Sequence, residues 1–285
     1  MVTTIKFYKK ILSLLIAAML LLAGCTGKNP PDTPVGTLNM SIYCPDAGNA
    51  DAFILRTANS TVIIDCGEKK FGDDIINYLD ANGISQIDVM FITHFDKDHV
   101  GGAAEVIKNN DVKKIYTSYV TKESKHIDNF YAAVEARSVD CRIAEDDFSF
   151  TLDGVTYEIF VPVTKNYDEN DASNNSSLVI RAGDEHTHIL FAGDCENERL
   201  KELVGNDNLS AEIIKIPHHG IYEKLSEAFL MTVNPQYAVI TSSNEEPEDA
   251  GLLSILSRHN IQAYLTRQGG FTIDIKDGQI SFRRF

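Results

Sequence analysis

Thr93-His94-Phe95-Asp96-Lys97-Asp98-His99-Val100-Gly101-Gly102 gathers two imidazoles and two carboxylates within six residues. The run before it, Ile87-Asp88-Val89-Met90-Phe91-Ile92-Thr93, has the length and apolar content of a buried strand. A strand ending in this cluster delivers four donor groups to one rigid point, and a tight turn lets alternate residues converge from two directions. His94 and Asp96 then suit one cation, and Asp98 and His99 a second. Imidazole nitrogen with carboxylate oxygen fits zinc, manganese or iron.

Two such ions need donors from other loops. Phe191-Ala192-Gly193-Asp194 offers an apolar strand, a glycine that allows close approach, and a carboxylate. Asp194 can bridge two ions about 3.5–4 Å apart, or cap a helix over 196–204. Ile213-Ile214-Lys215-Ile216-Pro217-His218-His219-Gly220 is a buried strand, a proline stop and paired imidazoles that need partners if desolvated. We expect His219 to ligate the second ion and His218 to contact substrate or support a ligand, with the reversed assignment as the alternative. Asp65, after Val62-Ile63-Ile64, and Asp51, after Gly48-Asn49-Ala50, are either carboxylates that orient ligating imidazoles or turn residues. His126, His186, His188 and His259 fall at surface or helix-end positions. The chain has no G-x-S-x-G, no P-loop, and no G-x-G-x-x-G between a strand and a helix.

The elements that must carry these groups follow from periodicity. Strands are expected at 38–43, 52–56 and 61–65, a helix at 71–82 ending at Gly83, a helix at 102–109, a strand at 113–117 and a helix at 122–137. Strands at 142–144, 147–152 and 155–161 read as a meander about Asp153-Gly154. A strand pair at 177–182 and 188–192 follows, then helices and strands alternate to residue 283. This order predicts two sheets with helices on their outer faces.

The ends and composition set the context. Lys6, Lys9 and Lys10 precede an apolar run over 11–23 that is short for a membrane span and typical of a secretory leader. Leu22-Ala23-Gly24-Cys25 resembles the lipobox of bacterial lipoproteins, with Cys25 as the lipid-modified residue. Residues 1–24 thus read as a signal peptide, 25–37 as a flexible tether rich in Pro, Gly and Asn, and 38–285 as one domain. The 285 residues carry a net charge of −15; losing residues 1–24 removes three lysines and no acid, which makes it −18. Such acidity favours solubility and disfavours sequence-independent binding of nucleic acid, although divalent ions reverse the sign locally. Cys44, Cys66, Cys141 and Cys195 form no C-x-x-C pair; their even number permits disulfides in an exported chain, and buried thiols are the simpler expectation.

These motifs, in this order, resemble the metallo-β-lactamase superfamily, with its H-x-H-x-D-H signature. They are most similar to the hydrolase domains of ComEC-type competence proteins and to phosphorylcholine-esterase-like relatives, where the second His of that signature is Asp, as at Asp96. Asp46-Ala47-Gly48-Asn49-Ala50-Asp51-Ala52 is similar to the family's V-G-Q-G-D-A, and Val62-Ile63-Ile64-Asp65-Cys66-Gly67 to L-I-D-x-G. Asn174-Asn175-Ser176-Ser177-Leu178-Val179 matches N-x-x-S-L-V, which stands where other members keep a metal-binding His. Gly193-Asp194 and Lys215–Gly220 match the last two ligand motifs, with Ile221 in place of a serine. The likeness spans about 38–285.

The resemblance implies a four-layer αββα sandwich of α/β class with metal at one edge. It implies a metal set of His94, Asp96, Asp98, His99, Asp194 and His219, supported by Asp51, Asp65, Asn174 and Ser177. One or two divalent ions, Zn or Mn, are expected, with the oxygen-rich first position better suited to manganese. The expected protein is an exported, lipid-anchored hydrolase at the bacterial cell surface, using a metal-activated hydroxide with Asp98, Asp194 and His218 in catalytic roles. Its expected substrate is a small or polymeric phosphodiester, from nucleic acid or the cell envelope. The alternatives are a β-lactam or thioester hydrolase on the same scaffold and a non-catalytic, metal-retaining surface module. The membrane is the expected neighbour, through the lipid at Cys25; no feature points to a protein partner.

Overall fold

Residues 38–168 and 171–285 are described by the structure, a computed structural model. The expected leader and tether, with Cys25, lie outside the described residues. The first part of the chain runs through β1 (Asn39–Cys44), β2 (Ala52–Arg56), β3 (Thr61–Cys66), α1 (Gly72–Ala81), β4 (Gln86–Ile87) and β5 (Val89–Ile92). Next come α2 (Lys97–Val100), α3 (Ala103–Asn109), β6 (Asp111–Val112), β7 (Lys114–Thr117), α4 (Lys125–Arg137) and β8 (Asp140–Ile143). Then β9 (Phe148–Leu152), β10 (Val155–Phe160), α5 (Ala172–Asn175), β11 (Val179–Gly183), β12 (His188–Phe191) and α6 (Asn197–Leu203) follow. The chain closes with β13 (Ile213–Lys215), α7 (Ser226–Val233), β14 (Tyr237–Ile240), α8 (Ala250–Arg258), β15 (Gln262–Leu265), β16 (Phe271–Lys276) and β17 (Gln279–Arg284).

One sheet has the order β17-β16-β1-β2-β3-β5-β7-β8 and the other β15-β14-β13-β12-β11-β10-β9. Alternate side chains of each sheet meet between the two: Val62, Ile64, Val89 and Phe91 pack with Ile189, Phe191, Ile213 and Val239. The opposite face of the first sheet, with Ile63, Met90 and Ile92, is covered by Ile75, Leu79, Val106 and Phe130 from α1, α3 and α4. Leu190, Ile214 and Ile240 are covered by Leu200, Phe229 and Leu252 from α6, α7 and α8. The fold is therefore the expected αββα sandwich.

Three details differ from the pattern expected. Strand β8 pairs parallel to β7 at the rim of the first sheet, and the meander reduces to the β9–β10 hairpin of the second. A strand reached through helix α4 returns in the same direction as its neighbour, so it cannot continue a meander. Helix α4 starts at Lys125, because Ser124 is extended and its Oγ accepts the Ile127 N–H at 3.3 Å. Helix α6 starts at Asn197 after Glu196, so Asp194 does not cap it. Cys44, Cys66, Cys141 and Cys195 are free thiols. No helix among the described residues is long and apolar enough to cross a membrane.

Candidate metal centre

Strands β3 and β5 run parallel, as do β12, β13, β14 and β15, so their carboxyl ends gather at one edge of the sandwich. Along these strands the inward rows turn polar at that edge. Val89 and Phe91 lead to Thr93, Ile213 to Lys215, and Val239 to Thr241, each buried. His94 follows Thr93 directly, Asp194 stands in the loop after β12, and His219 in the loop after β13.

Asp98, His99, Asp194 and His219 each place a donor atom within 4.8 Å of the other three. The Nε2 atoms of His99 and His219 lie 3.1 and 3.2 Å from Asp194 Oδ2, and that of His94 lies 4.0 Å from it. All three Nε2 atoms are buried, and none makes a hydrogen bond. Three desolvated ring nitrogens that face one carboxylate oxygen without donating to it are poorly satisfied by protein alone and well matched to a cation.

The other ring nitrogens fix the tautomers. Nδ1 of His99 lies 2.8 Å from Asp65 Oδ2, an acceptor only, so Nδ1 holds the proton. Thr241 Oγ1 donates to Asp51 Oδ1 at 2.7 Å and therefore accepts from His219 Nδ1 at 3.0 Å. Thr93 Oγ1 donates to Asp65 Oδ2 at 2.6 Å and is open to the Nδ1–H of His94 at 3.2 Å. In each ring the Nε2 lone pair is left for the centre. Ser177 joins this frame: its Oγ lies 3.3 Å from His94 Nδ1 and accepts the Asp194 N–H at 3.0 Å.

Burial and the neighbouring His99 hold His94 down, at about 4. Burial also acts downward on His99 and His219, but Asp194 outweighs it. Asp194 and Asp65 raise His99 well above the ordinary range, and Asp194 with Asp98 raises His219 to about 9. Burial pushes Asp98 up, yet His219 and His99 hold it well below the usual carboxylate range. A divalent ion at this centre would compete with those ring protons, which would leave each Nε2 lone pair to it.

Backbone shape contributes as much as strand ends. His218, His219 and Gly220 are left-handed in succession, with φ of 47°, 52° and 91°, directly after Pro217. Non-glycine residues rarely hold this geometry, and here it turns the His219 ring inward and leaves His218 at the mouth. Asp65 is also left-handed, at φ 58°, and it accepts both the N–H and the hydroxyl of Thr93.

Residues 45–242 match the Metallo-beta-lactamase superfamily. The chain belongs to that superfamily. Among curated relatives, "Competence protein ComA" of Neisseria gonorrhoeae is 30% identical over 230 residues, covering 79% of this chain and 30% of the relative. "ComE operon protein 3" of Bacillus subtilis is 25% identical over 201 residues, covering 69% of this chain and 25% of the relative. The chain thus spans less than a third of the length of either. The metallo-beta-lactamase fold protein YhfI from Bacillus subtilis superposes with TM-score 0.55 at 11% identity, covering 83% of this chain and all of that one.

Of the residues expected in this superfamily site, Asp98, His99, Asp194 and His219 come together, and His94 borders them. Asp96 lies near His94, whose charge acts on it, and outside that group of four. It belongs to none of the ligand groups among the described residues, and its Oδ1 meets Ser173 Oγ and Lys122 Nζ, the latter at 2.5 Å. Asn174 donates to Glu196 Oε1 at 2.8 Å and lies 3.4 Å from His218 Nε2, so it steadies His218 rather than the ligands. His218 faces a cleft of about 580 Å³ that also exposes Asp98, His219, Lys70 and Lys97.

Sequence reasoning missed Lys215 and Thr241. Lys215 is fully buried, with Nζ 2.5 Å from Asp51, 3.3 Å from Asp194 and donating to the Gly193 carbonyl at 2.9 Å. Asp51 and Asp194 outweigh burial and hold its pKa above the ordinary value, so it stays an ammonium. A lysine inside an Ile-Ile-Lys-Ile strand, at an inward position, was the available signal. Asp51 reaches His219 through Thr241, which makes it an orienting carboxylate at one remove.

Proposed function

We propose that the protein is an exported, metal-dependent hydrolase of phosphodiester bonds. The observation that carries this reading is the convergence of Asp98, His99, Asp194 and His219 with buried, unbonded Nε2 atoms. These four would hold a divalent ion, zinc or manganese by donor chemistry. When bound, the ion supplies Lewis acidity and lowers the pKa of water.

The chain's own residues do the rest. Asp194 is anchored on one oxygen by Lys215 and presents the other to His99 and His219. Asp98 lines the cleft and is placed to orient an attacking water. His218, held by Asn174 beside Glu196, contacts the substrate and can carry a proton to the leaving oxygen. Lys70 and Lys97 pair with Glu68 at 3.6 and 3.4 Å on one part of the cleft, which Glu245 and Glu246 also line, so attraction of an anionic substrate would rest on the bound cation. The motif likeness to ComEC-type hydrolase domains and the competence proteins among the relatives support the phosphodiester preference. The basic leader and the lipobox-like Leu22–Cys25 support export and anchoring at the cell envelope.

The test is metal analysis of the purified protein with turnover of bis-p-nitrophenyl phosphate and nitrocefin, with and without chelator. The expected result is phosphodiester turnover that chelator abolishes and metal restores, and that Asp194→Ala lacks. Turnover of nitrocefin alone would replace the substrate class with β-lactams. Bound metal without turnover of either substrate, or of a thioester, would make the protein a binding module.

A further inference from the structure

We propose that Lys122 serves as a tethered cation at Asp96 and that this protein accordingly works with a single divalent ion, held by Asp98, His99, Asp194 and His219. The inference rests on the metal-dependent reading above and concerns how many ions that site takes.

The position that a second ion would occupy, between His94 and Asp96, is built differently from the first. Asp96 precedes α2 in extended backbone, but its side chain does not cap that helix. Its Oδ1 is shared by the Ser173 hydroxyl and the Lys122 ammonium, and neither of its oxygens joins a three-residue donor group. Lys122 can reach it because Ser124 stops α4 short, leaving 118–124 as a loop over this edge. Ser173, the other partner, sits on α5.

The donors beside it are committed as well. Asn174, one residue on from Ser173, is turned to Glu196 and His218. Asp194 gives Oδ1 to Lys215 and Oδ2 to His99 and His219. That leaves the His94 Nε2 lone pair, 4.0 Å from Asp194, and the second oxygen of Asp96, whose first is taken by Ser173 and Lys122. One imidazole nitrogen and one oxygen of a carboxylate already paired with an ammonium make a poor shell for a divalent ion in competition with water.

Charge points the same way. Lys122 and Lys215 flank the centre on either side, each on a carboxylate that would otherwise serve a cation. A second divalent ion about 4 Å from the first would be repelled by that ion and by both ammoniums. Lys122 itself is half exposed, so its pairing adds little to folding. Its effect falls on cation occupancy at Asp96, where a unit charge at this range is worth about 10-fold or more in equilibrium terms.

The experiment compares wild type with Lys122→Gln and Lys122→Glu, all checked for unchanged thermal unfolding. Each is titrated with Mn2+ by calorimetry and followed by electron paramagnetic resonance, and total metal is measured after Zn2+ loading and desalting. The inference predicts one tight equivalent in wild type, with the sharp six-line spectrum of isolated Mn2+. It predicts a second equivalent in Lys122→Gln, bound at least about 10-fold more tightly than any second step in wild type, and tighter again in Lys122→Glu. That second ion should broaden the spectrum through spin coupling. Two tight equivalents in wild type, or a stoichiometry unchanged in both variants, would overturn the role of Lys122 and leave the hydrolase reading standing. No bound metal in wild type, or one equivalent that survives His219→Ala, would instead bring down the metal-centre reading and this inference with it.

Discussion

His219 owes its metal-facing lone pair to a relay in which Asp51 orients the Thr241 hydroxyl and that hydroxyl accepts from Nδ1. Thr241→Val keeps the shape and deletes the relay, so Nδ1 loses its acceptor and the ring its preferred tautomer. Zinc affinity should fall by roughly 10–100-fold with little change in the fold, as read by competition against a chromophoric chelator; an unchanged affinity would mean the relay does not act on the metal. The same ring sets a pH dependence. Asp194 and Asp98 hold His219 at about 9 against the pull of burial, above an ordinary value of about 6.5. In the metal-free protein this stabilisation is fully present below the lower value and is lost as pH rises through the higher one. Metal affinity moves oppositely, because the ion displaces the proton: it should rise from pH 6.5 to 9, with proton release visible as buffer-dependent binding heat. A flat affinity over that range would remove His219 from the ligand set.

At the scale of elements, the placement of donors depends on backbone that passes close to its neighbours. Gly193 has φ 51°, and a Cβ there would lie 2.8 Å from both Cβ and Oγ of Ser177, the residue that accepts the Asp194 N–H. Gly193→Ala should cost about 1–3 kcal/mol through the left-handed conformation alone and should weaken metal binding by displacing Ser177; denaturant unfolding in chelator and a zinc titration check the two effects separately. The strand ends themselves were legible, because Val89–Ile92, Phe191 and Ile213–Lys215 are apolar runs that stop at glycine, proline or a polar cluster. The approach of His94, Asp98, His99, Asp194 and His219 to one edge was legible for the same reason, given parallel neighbours. What the pattern hid is conformational and long-range. The four-residue helix Lys97–Val100 is too short to show a period, and Asp96 precedes it in extended backbone with Lys122 as its partner. The left-handed run His218–Gly220 has no compositional mark beyond its glycine. Lys122 read as the start of a helix because nothing local reveals that Asp96 is its partner, and β8 looked like part of a meander because sheet membership is not a local property.

The molecule as a whole combines an acidic composition with a centre whose donors suit a cation, and the two features bear on how an anionic substrate would reach it. Net charge is −15 over 285 residues, Lys215 is buried at the centre, and the cleft is lined by Lys70 and Lys97 together with Glu68, Glu245 and Glu246. A polyanion diffusing freely meets mostly repulsion under this arrangement; an enzyme held at a surface where its substrate is already concentrated does not depend on long-range attraction. The proposed membrane tether would supply that condition. A single acyl chain gives only marginal, reversible membrane binding, so stable anchoring requires more than one, as lipid modification at Cys25 would provide. Cys25→Ser in the full-length chain should therefore move the protein from the membrane pellet to the soluble or secreted fraction in cell fractionation, without changing turnover of bis-p-nitrophenyl phosphate by the purified enzyme. Its effect should appear only with a membrane-associated phosphodiester substrate, where the tether replaces a diffusional encounter by an effective concentration. If the Cys25→Ser protein stayed in the pellet, the lipobox reading would fall, and the acidic surface would need another explanation.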